Sequence, residues 1–235
     1  MLIVLLLYLH FNLLNYKLIM KTKSTLAFVL FIVFSQLVIG QKVIDSTQIK
    51  KEYSNLNEAL KNPEKVYRLN LSNQNLMIPK DAWPKFVNLE FLSFRNDHLK
   101  EIPSEIGILK NLKILDLSGN DFKVLPASFS QLSNLEELYL NDEKNLKLSE
   151  NIEILSLLPH LHILHLENDN LDELPKNIFK LNTLESLFLN NNNFKIIPTE
   201  LKGLDHLQYL DLKNNKIKPD PKEINPLNFG FKINL

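Results

Sequence analysis

The sequence predicts an α/β solenoid, in which short parallel strands line a concave face and short helical or extended segments form the convex face. An apolar residue opens a new unit every 23 residues, with one gap of 26, and such a period is typical of solenoid proteins. Each unit contains an apolar–x–apolar triplet with the two-residue period of a strand. Each unit then continues into an apolar pattern that suits a short helical turn. The units begin at Val66, Leu89, Leu112, Leu135, Leu161, Leu184 and Leu207.

The third unit shows the complete motif. From Leu112 to Leu132 it reads L-x-x-L-x-L-x-x-N-x-F-x-x-L-P-x-x-F-x-x-L. This motif resembles the leucine-rich repeat family in its 23-residue class, and the chain is similar to exported bacterial members of that family. Seven repeats cover residues 66–218. The resemblance implies a curved horseshoe with a parallel sheet on the concave face, and it implies recognition of a partner rather than catalysis.

Within a unit, the residue types explain the expected strand and the turn that follows it. The triplet Leu115-Asp116-Leu117 points its leucines inward and its aspartate outward, because side chains alternate along a strand. The amide of Asn120 can bond otherwise unpaired backbone groups of the neighbouring unit and so form a ladder along the stack. Asp97 and Asp169 occupy this position in two other units. They cannot donate when ionised, so weaker rungs are expected there.

Stacked units leave apolar surfaces at both ends of a solenoid, and these ends require caps. Residues 41–65 are predicted to form an N-terminal helical cap that stops at Asn62-Pro63. Residues 219–235 contain three prolines and break the repeat pattern, which predicts an irregular C-terminal cap. The predicted amphipathic helix of the N-terminal cap presents Ile49, Tyr53, Leu56 and Leu60 at near-helical spacing.

The fourth unit is three residues longer than the others. Counting back from Leu161 places Leu158, Leu155 and Leu148 in core positions, so the extra length is expected within Asn141–Lys147. That segment would be a loop that leaves the edge of the sheet. It is either a contributor to binding or an insertion tolerated in a surface turn.

Composition excludes several classes of site. The chain has 27 basic and 27 acidic residues without basic clusters, which disfavours a nucleic-acid footprint or a polybasic membrane patch. It has no cysteine, which rules out disulfides, thiolate metal ligands and cysteine nucleophiles. His160, His162 and His165 fall on a loop, a strand entry and the concave face, so they are expected to be solvated rather than to share a metal. Neither a cofactor nor a catalytic site is predicted.

The N-terminus carries a targeting pattern. Residues 20–40 combine Lys21 and Lys23 with an apolar run, and Val38 and Gly40 suit cleavage before Gln41. This indicates a signal peptide, or a membrane anchor if the segment is retained. Residues 1–19 are interpreted as an upstream extension or a gene-start artefact. The pattern favours a secreted, periplasmic or cell-surface protein, and the absence of cysteine favours a bacterial source. A cytoplasmic interaction scaffold remains the alternative if these segments are not translated.

Three outward positions per unit should form columns across the concave sheet: those before, between and after the two strand leucines. Aromatic and apolar residues recur in these columns, and such a patch is a normal signature of an interaction site. β-propensity on a sheet surface is the competing explanation. We expect a protein or an extended polymer as partner, and the alternative function is a membrane-anchored adhesive or structural element. The predicted partner-binding residues are Phe91, Arg95, Ile114, Asp116, Tyr139, Ile163, His165, Phe188 and Tyr209.

Overall fold

The computed structural model describes residues 51–218 and 230–235, which form a curved solenoid built on one parallel sheet. In these described ranges, nine strands lie side by side in the order of the chain, so the predicted solenoid with its parallel sheet is confirmed. The strands are β1 (Glu52–Tyr53), β2 (Arg68–Asn70), β3 (Phe91–Ser93), β4 (Ile114–Asp116), β5 (Glu137–Tyr139), β6 (Ile163–His165), β7 (Ser186–Phe188), β8 (Tyr209–Asp211) and β9 (Lys232–Asn234).

Short helices return the chain between strands. Two are α-helical, α1 (Leu56–Ala59) and α2 (Leu148–Leu155), and the others are 3-10 helices. A proline precedes most of the longer 3-10 helices, and its carbonyl accepts the first hydrogen bond, as between Phe129 N–H and Pro126 O at 2.9 Å. Proline suits this position because its φ is restricted and it has no N–H to satisfy. The 3-10 helices are Pro63–Lys65, Trp83–Lys85, Ser104–Ile108, Ala127–Gln131, Lys176–Lys180 and Thr199–Gly203.

One continuous apolar core runs between the sheet and the helices, from Leu56 to Leu212. The two strand leucines of the third unit are fully buried in it. Trp83 fills a core position on the return segment of the first unit. Its indole N–H donates to the carbonyl of Ile78 at 3.2 Å, which satisfies the single polar group of that side chain.

The expected asparagine ladder is confirmed. The Asn120 amide donates to the carbonyls of Phe94 in the preceding unit and Leu117 in its own unit, at 3.0 and 2.6 Å. Its Oδ1 accepts from the N–H groups of Asp97 and Leu99, at 3.2 and 2.9 Å. One side chain therefore pairs four backbone groups that the tight turn would otherwise leave unsatisfied.

The residue before each ladder position has a left-handed backbone. Only glycine, asparagine and aspartate occupy it, because these residues tolerate positive φ better than other types. At Gly119 a Cβ would also lie 2.1 Å from Oδ1 of Asn96. The residues at this position are Asn73, Asn96, Gly119, Asp142, Asn168, Asn191 and Asn214, with φ between 56° and 70°.

The predicted helical cap at the N-terminal end is wrong in part. Tyr53 belongs to β1, which pairs with β2, so it cannot share a continuous helix with Leu60. Only α1 is α-helical here, and the side chain of Asn55 starts it by accepting from Glu58 N–H at 3.0 Å. Backbone pairing at the sheet edge outweighs the local helical pattern, because an unpaired edge strand leaves donors and acceptors unsatisfied. Ile49 and the whole of residues 1–50 lie outside the described residues.

The irregular C-terminal cap is also wrong for residues 230–235. β9 pairs in parallel with β8, and Leu212 N–H donates to Asn234 O at 2.7 Å. Phe231 and Ile233 pack against the end of the core. Both ends of the described sheet therefore gain one strand beyond the seven of the repeats. The remaining part of this predicted cap, residues 219–229, lies outside the described residues.

The extra length of the fourth unit is not in Asn141–Lys147, and that expectation is corrected. Glu143 is the eighth residue after Leu135, as Asn120 is after Leu112, so the phase is intact through the turn. The five-residue 3-10 helix of the preceding unit is replaced by α2, which has eight residues. The three added residues thus lengthen the convex side, and the sheet register stays unchanged.

Glu143 and Asp169 are two of the three buried acids at ladder positions, and the third is Asp97. Glu143 accepts from Asn120 N–H, and Asp169 accepts from Glu143 N–H, both at 2.7 Å. The second carboxyl oxygen of each is buried and has no hydrogen-bond partner within residues 51–218 and 230–235. Burial raises the pKa of each carboxyl to about 8, and neighbouring carboxylates add to the effect, because the charged form loses its hydration.

We predict that the stability of the protein falls as pH rises from about 4 to about 8. Both acids bind a proton more tightly in the folded state than in the unfolded state. Protonation therefore contributes to the free energy of unfolding in full below the pKa of the unfolded state, and this contribution is lost as the pH rises through the pKa of the folded state. Thermal unfolding midpoints across this range should drop by several degrees. The Glu143→Gln/Asp169→Asn variant should be more stable at pH 8 and should show a flatter profile. A profile as steep as that of the wild type would contradict the assignment.

Candidate functional site: the concave face

The register of the sheet brings the predicted concave positions into straight columns. Each strand pairs with the next at equivalent positions of the repeat, without an offset at any junction between β2 and β8. The first column contains Phe91, Ile114, Ile163 and Tyr209 of the predicted set, and the second contains Asp116, Tyr139, His165 and Phe188.

Three rings of the second column form a parallel stack across neighbouring strands. The centroids of Tyr139 and His165 are 3.9 Å apart, and those of His165 and Phe188 are 4.4 Å apart, with interplanar angles of 11° and 4°. The spacing of neighbouring strands, about 4.8 Å, imposes this close parallel arrangement on rings in one column. Tyr209 continues the row from the first column, tilted by 52° at 5.5 Å from Phe188. We call these four residues the aromatic stack.

Two carboxylates hold the central ring of the stack. Nε2 of His165 lies 3.1 Å from Oε1 of Glu137, and Nδ1 lies 3.2 Å from Oε1 of Glu167. The Tyr139 hydroxyl also donates to Glu137, at 2.5 Å. Burial, followed by this contact with Glu137, raises the pKa of Tyr139, so its hydroxyl stays a neutral donor. The polar contacts fix the orientation of the rings, which remain partly exposed except for that of His165.

A row of unpaired oxygens lies beside the aromatic stack. The third outward position of three successive units carries Ser118, Asn141 and Glu167. Ser118 Oγ, Asn141 Oδ1 and Glu167 Oε2 are each buried, and none has a hydrogen-bond partner in the part of the chain that the structure describes. Buried polar atoms are normally paired, so a consecutive row of unpaired polar atoms is unusual for a surface that only needs to be stable.

Comparison with family models agrees with the repeat geometry. A model described as a leucine-rich repeat region matches residues 69–159. Leucine-rich repeat models also match residues 159–217 and 206–229. The three matches together run from residue 69, which lies in β2, to residue 229. The chain belongs to the leucine-rich repeat family. A comparison with curated protein sequences found no match.

Solved structures similar to this leucine-rich repeat protein include two from bacteria. A leucine-rich repeat protein of Leptospira interrogans is 30% identical with a TM-score of 0.54, over 80% of this chain and 59% of its own. Internalin C2 of Listeria monocytogenes is 25% identical with a TM-score of 0.52, over 70% of each chain. The receptor of a TLR13–ssRNA13 complex is 30% identical with a TM-score of 0.52, over 65% of this chain and 22% of its own. The chain therefore spans less than two thirds of the first and last of these proteins.

The remaining predicted residues of this leucine-rich repeat protein lie around the stack rather than in it. The guanidinium of Arg68 lies 4.0 Å from the ring centroid of Phe91, so that ring already has a cation above it. Asp116 accepts from Ser118 N–H at 3.0 Å and from the Ser93 hydroxyl at 3.4 Å. Arg95 is exposed at the third position of its unit, while Ile114 and Ile163 are half-buried in the first column.

The sequence interpretation missed two residues and misjudged a third. Glu137 and Glu167 were not among the predicted binding residues, although each lies two positions from a stacked ring and hence on the same face of its strand. His165 was expected to be solvated, but it is only 8% exposed. The rings of His160 and His162 lie 6.3 Å apart, and the nitrogens of His165 face the two glutamates instead. No group of acidic, histidine or cysteine residues in the described ranges is arranged to hold a metal ion.

We predict that His165→Ala destabilises this leucine-rich repeat protein by about 1–3 kcal/mol, because two ring contacts and the pairing of two carboxylates are lost. Urea unfolding should show the loss, and the near-ultraviolet circular dichroism of Tyr139 should weaken as its ring loses its neighbour. The matched control is His160→Ala, which removes an exposed ring outside the stack. Equal effects of the two substitutions would show that the stack is not a stabilising unit.

Proposed function

We propose that the protein is an exported, non-catalytic interaction module that recognises a macromolecular partner on its concave face. The aromatic stack is the observation that carries this proposal. Tyr139, Phe188 and Tyr209 remain partly exposed across four neighbouring strands, although packing and carboxylate contacts restrict their motion. Rigid aromatic side chains lose little entropy on binding and are enriched among residues that dominate binding energy.

The charge distribution supports a protein as the partner. The middle of the concave face carries Asp116, Glu137 and Glu167, and a nucleic acid would bring phosphates against these carboxylates. The net charge of the whole chain is zero, so its overall field does not favour a polyanion either. The similar TLR13 structure is a complex with single-stranded RNA, but the concave centre of this chain has the wrong sign of charge for that class of ligand.

Export is supported by residues 20–40, which combine basic residues, an apolar run and a small residue before Gln41. This segment lies outside the described residues. In residues 51–218 and 230–235, every helix is too short or too polar to cross a membrane. If the apolar run is retained, the same concave face would act from a membrane-anchored surface protein.

We predict that the Tyr139→Ser/Phe188→Ser/Tyr209→Ser variant loses most of its partner capture, because three aromatic anchors are removed from one surface. Immobilised wild-type and variant proteins would be exposed to cell-surface and medium fractions, and retained proteins would be quantified by mass spectrometry. The matched control, Met77→Ser/Leu157→Ser/Ile196→Ser, changes three residues that are more than 60% exposed outside the concave face. Circular dichroism and unfolding midpoints would verify that both variants fold. Capture reduced equally by both variants, or by neither, would contradict the proposal.

A separate prediction concerns export. When the natural gene is expressed in a bacterium, the mature protein should begin at Gln41, because signal peptidase cleaves after a small residue that follows the apolar run. N-terminal peptide mass spectrometry of the medium, periplasm and membrane fractions would detect this end. A protein found in the membrane fraction with residues 20–40 attached would instead indicate an anchor. A cytoplasmic protein without that segment would indicate an intracellular scaffold.

A further inference from the structure

The centre of the aromatic stack has fewer hydrogen-bond donors than acceptors. Both ring nitrogens of His165 face a carboxylate oxygen, so the ring supplies at most two N–H groups to this centre. Glu137 and Glu167 together offer four carboxylate oxygens, and the Tyr139 hydroxyl is the other side-chain donor that reaches them. The centre therefore contains more accepting positions than hydrogens to fill them.

The row of unpaired oxygens increases this imbalance. Ser118 is fully buried and follows Asp116 by two positions, so both project from the same side of the strand. Asn141 Oδ1 and Glu167 Oε2 on the next two units have no partner among the described residues and act as acceptors, whereas the equally unpaired Ser118 Oγ can accept or donate. Leaving such atoms unpaired costs free energy that an incoming donor would recover.

Among the described residues, His165 is the only basic side chain within ion-pair distance of the carboxylates at the centre, at 3.1 Å from Glu137 and 3.2 Å from Glu167. In the described ranges, no lysine or arginine forms an ion pair with Asp116, Glu137 or Glu167. The basic residues at the two ends of the sheet are already engaged. Arg68 pairs with a carboxylate of β1 at 2.9 Å, and the ammonium of Lys232 lies 5.7 Å above the ring of Tyr209. The single ring of His165 can offset at most one of these three carboxylates, so the middle of the face keeps an excess of negative charge.

We propose that the acidic centre, defined as Asp116, Glu137 and Glu167, binds a lysine or arginine side chain that a partner protein inserts into the concave face. This rests on the proposed function and specifies the chemistry of the partner. A cationic head group would bring the missing donors and the missing positive charge at once. Arg95 and Lys213 are exposed at the third outward position of their units, so they would complement acidic residues of the partner that flank the inserted side chain.

The surroundings of Glu137 suit a long aliphatic stem. In the first column, Glu137 pairs with Ile114 on one side and Ile163 on the other, and both are half-buried. Lysine and arginine lay their methylene groups on apolar surfaces while the charged end reaches a polar site. A side chain that crosses either isoleucine would thus place its head at Glu137. Other cations fit this site less well than an inserted side chain. A metal ion has no aliphatic part to contact the two isoleucines, and a free polyamine makes no further contacts with the rest of the concave face.

A display experiment would test the proposal without knowledge of the natural partner. Phage-displayed random 12-residue peptides would be selected on the full-length protein, and the sequences retained would be compared with the starting library. We expect enrichment of lysine or arginine. The best peptide would then be synthesised with its basic residue intact or replaced by norleucine, which keeps the stem and removes the charge. The norleucine peptide should bind about tenfold more weakly or worse in fluorescence anisotropy.

Matched variants would locate the binding. Glu137→Gln/Glu167→Gln removes two charges but keeps the side-chain shape and the acceptor for Tyr139, and it should weaken binding of the basic peptide by about tenfold. The control Asp172→Asn/Glu173→Gln makes the same charge change at two exposed residues after β6 and should leave the affinity unchanged. Unfolding midpoints would be measured for both variants.

The outcomes separate this inference from the proposed function. Equal affinities of the basic and norleucine peptides, or of wild type and Glu137→Gln/Glu167→Gln, would overturn the inference. In that case the selected peptides could still bind more weakly to the Tyr139→Ser/Phe188→Ser/Tyr209→Ser variant than to the wild type. That result would support the concave face as a recognition surface, although not through a basic side chain. Both proposals would be overturned if the peptides bound with unchanged affinity to the glutamine variant and to the triple serine variant. Spermidine that binds as tightly as the basic peptide would show a site for small cations and overturn the assignment to a partner side chain.

Discussion

Stacking of successive units in strict register is the constraint on which the structure depends. The turn after each strand leaves backbone donors and acceptors that its own unit cannot pair, and the ladder side chain reaches into the neighbouring unit to pair them. Asn120 does this with four backbone groups. The core follows the same rule, because each unit buries its strand leucines only when another unit covers them. Stability therefore belongs to junctions between units rather than to single units.

The same spacing organises the concave face. Side chains at equivalent positions meet across neighbouring strands, so Tyr139, His165 and Phe188 stack without any sequence feature that specifies stacking beyond their place in the repeat. The polar contacts then follow from alternation along the strand, which places Glu137 beside Tyr139 and Glu167 beside His165. The concave face, which we propose as a recognition surface, is organised by the same geometry that closes the core, and its centre is rich in hydrogen-bond acceptors.

Departures from the repeat are absorbed where they disturb the register least. The fourth unit places its three extra residues in α2 on the convex side, and β5 and β6 still pair without an offset. In the ladder, Glu143 and Asp169 replace the amide, and one oxygen of each is buried without a partner among the described residues. Burial raises the pKa of each carboxyl to about 8, because the charged form loses its hydration. These rungs retain the shape of the turn at the cost of some of its hydrogen bonds.

The repeat of the sequence was sufficient to predict the solenoid, its parallel sheet, the ladder and the columns of concave residues, because all of these depend on a period that can be read directly along the chain. The end strands were not predictable in this way. β1 and β9 lie outside the repeat and become strands only because a sheet edge is available to pair with them. The burial of His165 and the roles of Glu137 and Glu167 also required tertiary structure, since they depend on which side chains of neighbouring units meet, and a pattern along one chain does not contain those distances.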